Sequence, residues 1–250
     1  QGPPGTGKTY FISRLLEVLN KERKSVLVAT LANRSLIELA KKYYEIETAN
    51  RLALYKSNLT LEESKEVKDL KPMPKDFLPA EGSILLTTFY KMTGIAIQNI
   101  ASPVYDYIIL EEASQCFLGT IAAAKLLGKK VVLVGDPLQL PPVVNQENPG
   151  KISPNIDLML ESFTFYASTI NCPKFRLTTT YRFSDNACYQ TNSFYENSLK
   201  SKSVIQKDNE VFSKIPAIYN KKGGCSLFYY DSRSLNSIYD LLLGQINALL

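Results

Sequence analysis

Along this chain, short and nearly continuous apolar runs alternate with stretches in which apolar residues return every three or four positions. Phe11, Leu15, Val18 and Leu19 follow the second rhythm and predict a helix from about Lys8 to Leu19 with those four on its buried face. Val26 to Thr30 is a compact β-rich run and reads as a strand. Leu36, Ile37, Leu39, Ala40 and Tyr43 return to helical spacing. Further strands are expected at Ile84 to Thr88, Tyr107 to Leu110 and Val131 to Val134. Apolar runs this short, with little polar alternation, suit strands covered on both faces. The alternation of strand and helix predicts an α/β fold on a mainly parallel sheet.

The rhythm breaks from about Glu45 to Gly82, a charged stretch containing Pro72, Pro74 and Pro79. Thr60 and Glu63 have the spacing of a capping box, so one short helix is expected there, within an insertion on the sheet. Beyond Pro142, Asn145 to Pro154 reads as loop. Arg176 to Thr180 is expected as a strand, and Ser184 as the N-cap of a helix. Leu227 to Tyr230 reads as another strand, and about Leu235 to Leu250 as a last helix. The domain expectation is one domain over residues 1–174, with its insertion at about 45–82, and the beginning of a second over 175–250.

With 45% hydrophobic residues, the 250-residue chain can fill a sizeable core. No apolar run reaches the roughly 18 residues of a membrane span, so no membrane association and a cytoplasmic location are expected. The net charge of +5 (29 basic minus 24 acidic) suits a polyanionic partner and equally suits a solvated basic surface. Cys116, Cys172, Cys188 and Cys225 form no C-x-x-C pair, so they read as thiols in a reducing compartment rather than zinc ligands. His is absent, which removes Ser-His-Asp and Cys-His catalysis and any His-based metal site. Catalysis must therefore use carboxylates, Lys, Arg, Thr and backbone groups.

Gly2-Pro3-Pro4-Gly5-Thr6-Gly7-Lys8-Thr9 has the pattern G-x-x-x-x-G-K-[ST] of a phosphate-binding loop. Its glycines let backbone N–H groups wrap a triphosphate, and the helix that follows adds its positive end. Lys8 is suited to the β- and γ-phosphates of ATP, and the Thr9 hydroxyl to one position on Mg²⁺. The strand that normally leads into such a loop lies before the first residue, so a fragment is expected. Downstream, Tyr107 to Leu110 ends in Glu111-Glu112-Ala113-Ser114. A phosphate loop needs such a partner: one carboxylate holds Mg²⁺ and the other orients or deprotonates the attacking water.

Two further segments, Gly135-Asp136-Pro137-Leu138-Gln139-Leu140-Pro141-Pro142 and Leu177-Thr178-Thr179-Thr180-Tyr181-Arg182-Phe183, carry no chemistry by themselves. In order with Gln1 to Thr9 and Glu111 to Gln115, they resemble superfamily 1 helicases. The resemblance is to the branch of the nonsense-mediated-decay helicase and its DNA-replication relatives, and covers roughly the first 200 residues. It implies a RecA-like P-loop NTPase domain followed by the start of a second RecA-like domain, with ATP in the cleft between them. Glu111 falls at the family's metal position, which leaves Glu112 for the water. Gln139 is implied to touch the γ-phosphate, Tyr181 to stack on the nucleotide base, and Arg182 to contact the γ-phosphate. Asn33 and Thr88 match positions that contact the nucleic-acid backbone.

The implied activity is ATP-driven movement along single-stranded DNA or RNA, 5′ to 3′, with DNA as the expected strand. Contacts to the 2′-hydroxyl, which separate the two, cannot be assigned from the sequence. Three departures stand out. Glu111 replaces the family's Asp, one methylene longer at a metal with strict octahedral demands. Leu31 and Ala32 replace the family's Pro and small hydroxyl residue before Asn33. The family's later motifs, with a second phosphate-contacting Arg, are expected beyond Leu250. Two other classes use the same loop: a P-loop kinase, and a nucleic-acid-binding module with weak or lost turnover.

Overall fold

The computed structural model describes residues 1–46, 53–75, 77–98, 103–143, 159–169 and 171–202. The expected loop at Asn145 to Pro154, the strand at Leu227 to Tyr230, the last helix and Cys225 lie outside the described residues. The chain divides into two compact units. One comprises Gln1–Gly2 and Gly7–Leu177; the other joins Pro3–Thr6 to the chain from Thr178 onward.

In the first unit the order is α1 (Lys8–Lys21), β1 (Val26–Thr30), α2 (Asn33–Glu45), β2 (Leu54–Lys56), α3 (Leu61–Glu66), β3 (Lys71–Pro72), β4 (Ile84–Thr88), α4 (Phe89–Gln98), β5 (Tyr105–Glu111), α5 (Leu118–Leu127), β6 (Gly128–Val134) and α6 (Ser162–Thr169). The strands form one sheet in the order β3-β2-β4-β1-β5-β6. Every pairing is parallel. This is a RecA-like α/β architecture, as expected. Successive residues of a strand face opposite sides, so each strand feeds two cores. Val26, Val28, Ile84, Leu86 and Ile109 pack with α1 and α2. Leu27, Ala29, Leu85, Ile108 and Leu110 pack with α4 and α5.

The predicted strands β1 and β4 have the predicted bounds, and β5 and β6 extend the predicted cores. The helix marked by Leu36, Ile37, Leu39, Ala40 and Tyr43 forms as α2, and all five are buried. The face assigned to α1 is corrected: Ile12, Leu16 and Leu19 are buried, whereas Phe11 and Val18 are about half exposed. The stripes 11-15-18 and 12-16-19 are equally periodic and lie about 100° apart on a helix. Periodicity cannot choose between them; packing on α2 and the sheet does. Helices α4, α5 and α6 were not expected. In α5 the run Leu118–Leu127 is apolar nearly throughout, so no polar face marks it.

The insertion joins the sheet as β2 and β3. Its capping box forms as predicted: the Glu63 N–H donates to Thr60 Oγ1 at 3.2 Å, and the Thr60 N–H donates to Glu63 Oε2 at 2.9 Å. Arg34 and Lys41 of α2 both pair with Glu66 of α3. At the opposite end of the sheet, Asp106 accepts from the Ser25 N–H and hydroxyl, each at 3.0 Å, and from Lys129 at 2.9 Å. These bonds tie the starts of β1, β5 and β6. They hold the Asp106 carboxyl at about 2, through the Ser25 N–H first and Lys129 next.

In the second unit, β7 (Thr179–Thr180) pairs with β8 (Lys200–Ser201) around α7 (Asp185–Asn192). Ser184 caps α7, accepting from the Ala187 N–H. The strand expected from Arg176 is shorter, because Leu177 bonds back to the Gln1 carbonyl and ladder pairing begins only at Thr179. Among the described residues no helix is long and apolar enough to cross a membrane.

Candidate nucleotide and nucleic-acid site

All strands of the sheet run the same way, so the loops after β1, β4, β5 and β6 leave from one edge. Ligands of open parallel sheets bind at that edge. Gly2 donates its N–H to the Gly135 carbonyl just after β6, at 3.0 Å. Lys8 opens α1 and donates its ammonium to the Gly2 carbonyl at 2.9 Å. Thr9 Oγ1 donates to Glu111 Oε1 at 2.7 Å, joining the glycine-rich loop to the acidic end of β5.

Glu111 is 2% exposed, and its Oε2 has no hydrogen-bond partner among the described residues. Burial pushes its carboxyl above the ordinary carboxylate range, and the neighbouring Glu112 adds to this; the Thr9 bond, Lys8 and Lys42 oppose it. A buried acceptor with an idle oxygen is what a hard cation satisfies. Cis ligands of an octahedral Mg²⁺ lie about 2.9 Å apart, close to the Thr9–Glu111 spacing. Among the described residues no cluster of three acidic or cysteine side chains forms a metal cage. Two protein oxygens fit Mg²⁺ shared with phosphates, which needs no cage. The extra methylene of Glu111 does not break its reach to Thr9.

Glu112 has φ 58, a left-handed conformation uncommon outside glycine. It turns the chain from β5 into the short helical turn Ala113–Gln115. Such outliers persist only where their surroundings impose them, and they gather at active sites. Here Gly135 packs against that turn: a Cβ on it would stand 2.9 Å from the Ser114 nitrogen. The segment after β6 is shaped by Asp136, a fully buried residue that sequence reading passed over. Its Oδ1 accepts from the Leu138 N–H, and its carbonyl from the Gln139 N–H. The Asp-Pro step within Gly135 to Pro142 was the available signal for this turn. Gln139 sits half-buried in that loop.

Asn33 and Thr88 lie farther along the same edge, after β1 and β4. With strands about 4.8 Å apart, Thr88 is about 10 Å across the sheet from Glu111. Asn33 is exposed at the start of α2, and its Oδ1 accepts from Lys56 at 3.1 Å. Thr88 is half-buried, and its hydroxyl accepts from the Lys91 N–H at 3.4 Å, at the start of α4. Lys56, also missed in the sequence, is 1% exposed.

In the second unit, Pro3–Thr6 run beside the start of β7 and its exit. Tyr181 donates its N–H to the Gly5 carbonyl at 2.9 Å, and Thr180 its hydroxyl to the Pro4 carbonyl at 3.1 Å. Gly5 has φ +73, and a Cβ there would stand 2.3 Å from Arg182 Cβ, so only glycine fits. Tyr181 and Arg182 have exposed side chains.

A family model described as an AAA domain matches residues 60–147. The chain is 27% identical over 150 residues to the DNA replication ATP-dependent helicase/nuclease DNA2 of Saccharomyces cerevisiae, covering 58% of this chain and 10% of that protein. Its Schizosaccharomyces pombe counterpart is 28% identical over 163 residues, covering 60% of this chain and 11% of that protein. The chain thus spans about a tenth of these relatives. Among solved structures, the Arterivirus nonstructural protein 10 helicase in complex with DNA shares the fold, with a TM-score of 0.50 and 16% identity. That match covers 83% of this chain and 41% of the viral one. The chain is thus similar, over somewhat more than half its length, to DNA replication helicase/nucleases, and it shares its fold with a viral helicase.

Proposed function

We propose that the chain is the ATP-binding part of a nucleic-acid-stimulated ATPase that moves 5′ to 3′ along single-stranded DNA. The Thr9–Glu111 bond at 2.7 Å carries the reading, because it joins loop and carboxylate through Oε1 and leaves the buried Oε2 for a cation. Gly2 to Thr9 wrap the triphosphate of ATP, with Lys8 on the β- and γ-phosphates. Thr9 and Glu111 would hold Mg²⁺, which would supply neutralisation of the phosphate charge. Glu112 orients the attacking water and takes its proton. Gln139 contacts the γ-phosphate, Tyr181 stacks on the base, and Arg182 stabilises charge on the transferred group. Asn33 and Thr88 hold the strand by its phosphates. Residues from about 175 begin the second RecA-like domain.

The test is ATP hydrolysis by the full-length protein with and without single-stranded DNA or RNA. Stimulation by DNA above RNA is expected, and Glu112→Gln should lower the stimulated rate by about 10²- to 10⁴-fold. An unchanged rate in that variant would remove the catalytic assignment. The raised carboxyl of Glu111 favours one rival, a binding module with weak turnover. Retained nucleotide binding without hydrolysis on either strand would select it.

A further inference from the structure

Lys56 ends the inserted strand β2 with its ammonium out of solvent. Its three donors meet three acceptors: Asn58 O at 2.7 Å, Asn33 Oδ1 at 3.1 Å and Glu63 Oε2 at 3.1 Å. Glu63 is itself pinned by the capping box of α3. The insertion therefore reaches the first residue of α2 through a buried, fully satisfied cation. An ammonium only donates, so it dictates which end of the Asn33 amide faces it. The oxygen must turn inward, and the NH₂ group, with two donors and no acceptor, becomes the end offered to a ligand. A donor-only group at the positive end of a helix matches phosphodiester oxygens, which only accept.

We propose that Lys56 is a positioning residue, locking Asn33 with its NH₂ outward to grip the backbone of a bound single strand. This rests on the reading of Asn33 as a nucleic-acid contact. It gives the insertion a function: presetting a contact at the start of α2, which follows β1, two strands away in the sheet. Preorganisation of this kind strengthens binding by sparing the amide the cost of being ordered.

The experiment is a double-mutant cycle on the affinity of the full-length protein for an oligo-dT single strand, read by fluorescence anisotropy. Asn33→Ala should weaken binding about tenfold, the scale of one hydrogen bond to a charged group. Lys56→Met should weaken it by a similar factor, and the double variant no further than Asn33→Ala alone. Asn33→Asp keeps a partner for Lys56 but presents oxygen outward, so it should bind at least as poorly as Asn33→Ala. That variant carries the test if Lys56→Met does not fold. Wild-type affinity in Asn33→Ala would remove the contact itself. A loss in Asn33→Ala alone, losses that multiply in the double variant, or wild-type affinity in Asn33→Asp would overturn the positioning role and leave the contact standing.

Discussion

Glu111 concentrates the residue-scale tension of the site. In the proposed role a carboxylate there serves a metal, yet burial raises its carboxyl above the ordinary value of 4.5. For an acid, a raised folded-state value means that the ionised form is disfavoured by folding. The stability it contributes is full below the unfolded value and is lost as pH rises through the folded one. Glu111→Gln, which can still accept from Thr9, should therefore raise the melting temperature of the nucleotide-free protein at neutral pH. The advantage should fade as pH falls toward about 4.5 and be gone below it, where the carboxyl is neutral in both states. The same variant should lose Mg²⁺-dependent ATP binding by at least about tenfold, because a neutral amide is a poor Mg²⁺ ligand. Thermal unfolding and nucleotide titration read both. A lower melting temperature, or Mg²⁺-dependent binding left intact, would contradict the strain between stability and function inferred here.

Among the elements, the staple at the start of β1, β5 and β6 stands apart from the site and contributes through charge. Asp106 is depressed to about 2, so its contribution is present above the ordinary value of 3.8 and is lost as pH falls through about 2. It is partly exposed, so screening limits the effect. Asp106→Ala should cost about 1 kcal/mol at neutral pH. Its melting-temperature deficit should close between pH about 4 and about 2; a deficit independent of pH would mean that packing, not charge, is lost. The elements also mark what could be read in advance. β1, β4 and α2 were legible because a strand's apolar run or a single helical stripe has only one solution. α1 offered two equivalent stripes, α5 offered none, and β2 is three residues whose last is a buried lysine. The site divided in the same way. Thr9 and Glu111 follow from loop chemistry and motif order. Lys56 owes its role to Asn33 and Glu63, which folding brings near, and no local pattern announces a buried charge.

For the whole molecule, the edge of the sheet separates two kinds of electrostatics. Of the residues assigned to nucleotide, Glu111 ends β5, and Glu112 and Gln139 follow β5 and β6, around a carboxylate 2% exposed, where counterions have little access. The residues assigned to the strand lie after β1 and β4, with Thr88 about 10 Å across the sheet from Glu111 and Asn33 exposed. Around them the chain carries a net +5 (29 − 24), a modest field that solvent ions screen within about 10 Å at 0.1 M salt. The two bindings must then respond differently to salt. A single strand held through a few phosphates releases its condensed counterions on binding, so its affinity should fall on the order of tenfold to a hundredfold between about 50 and 200 mM salt. Affinity for Mg²⁺–ATP, set by metal coordination and a buried carboxylate, should change far less over the same range. Anisotropy with an oligo-dT strand and titration with a non-hydrolysable ATP analogue, run in parallel on the full-length protein, measure both slopes. Strand binding that ignored salt would mean that the phosphates are not what the edge of the sheet holds. Parallel slopes for strand and nucleotide would merge two sites that the order of strands keeps apart.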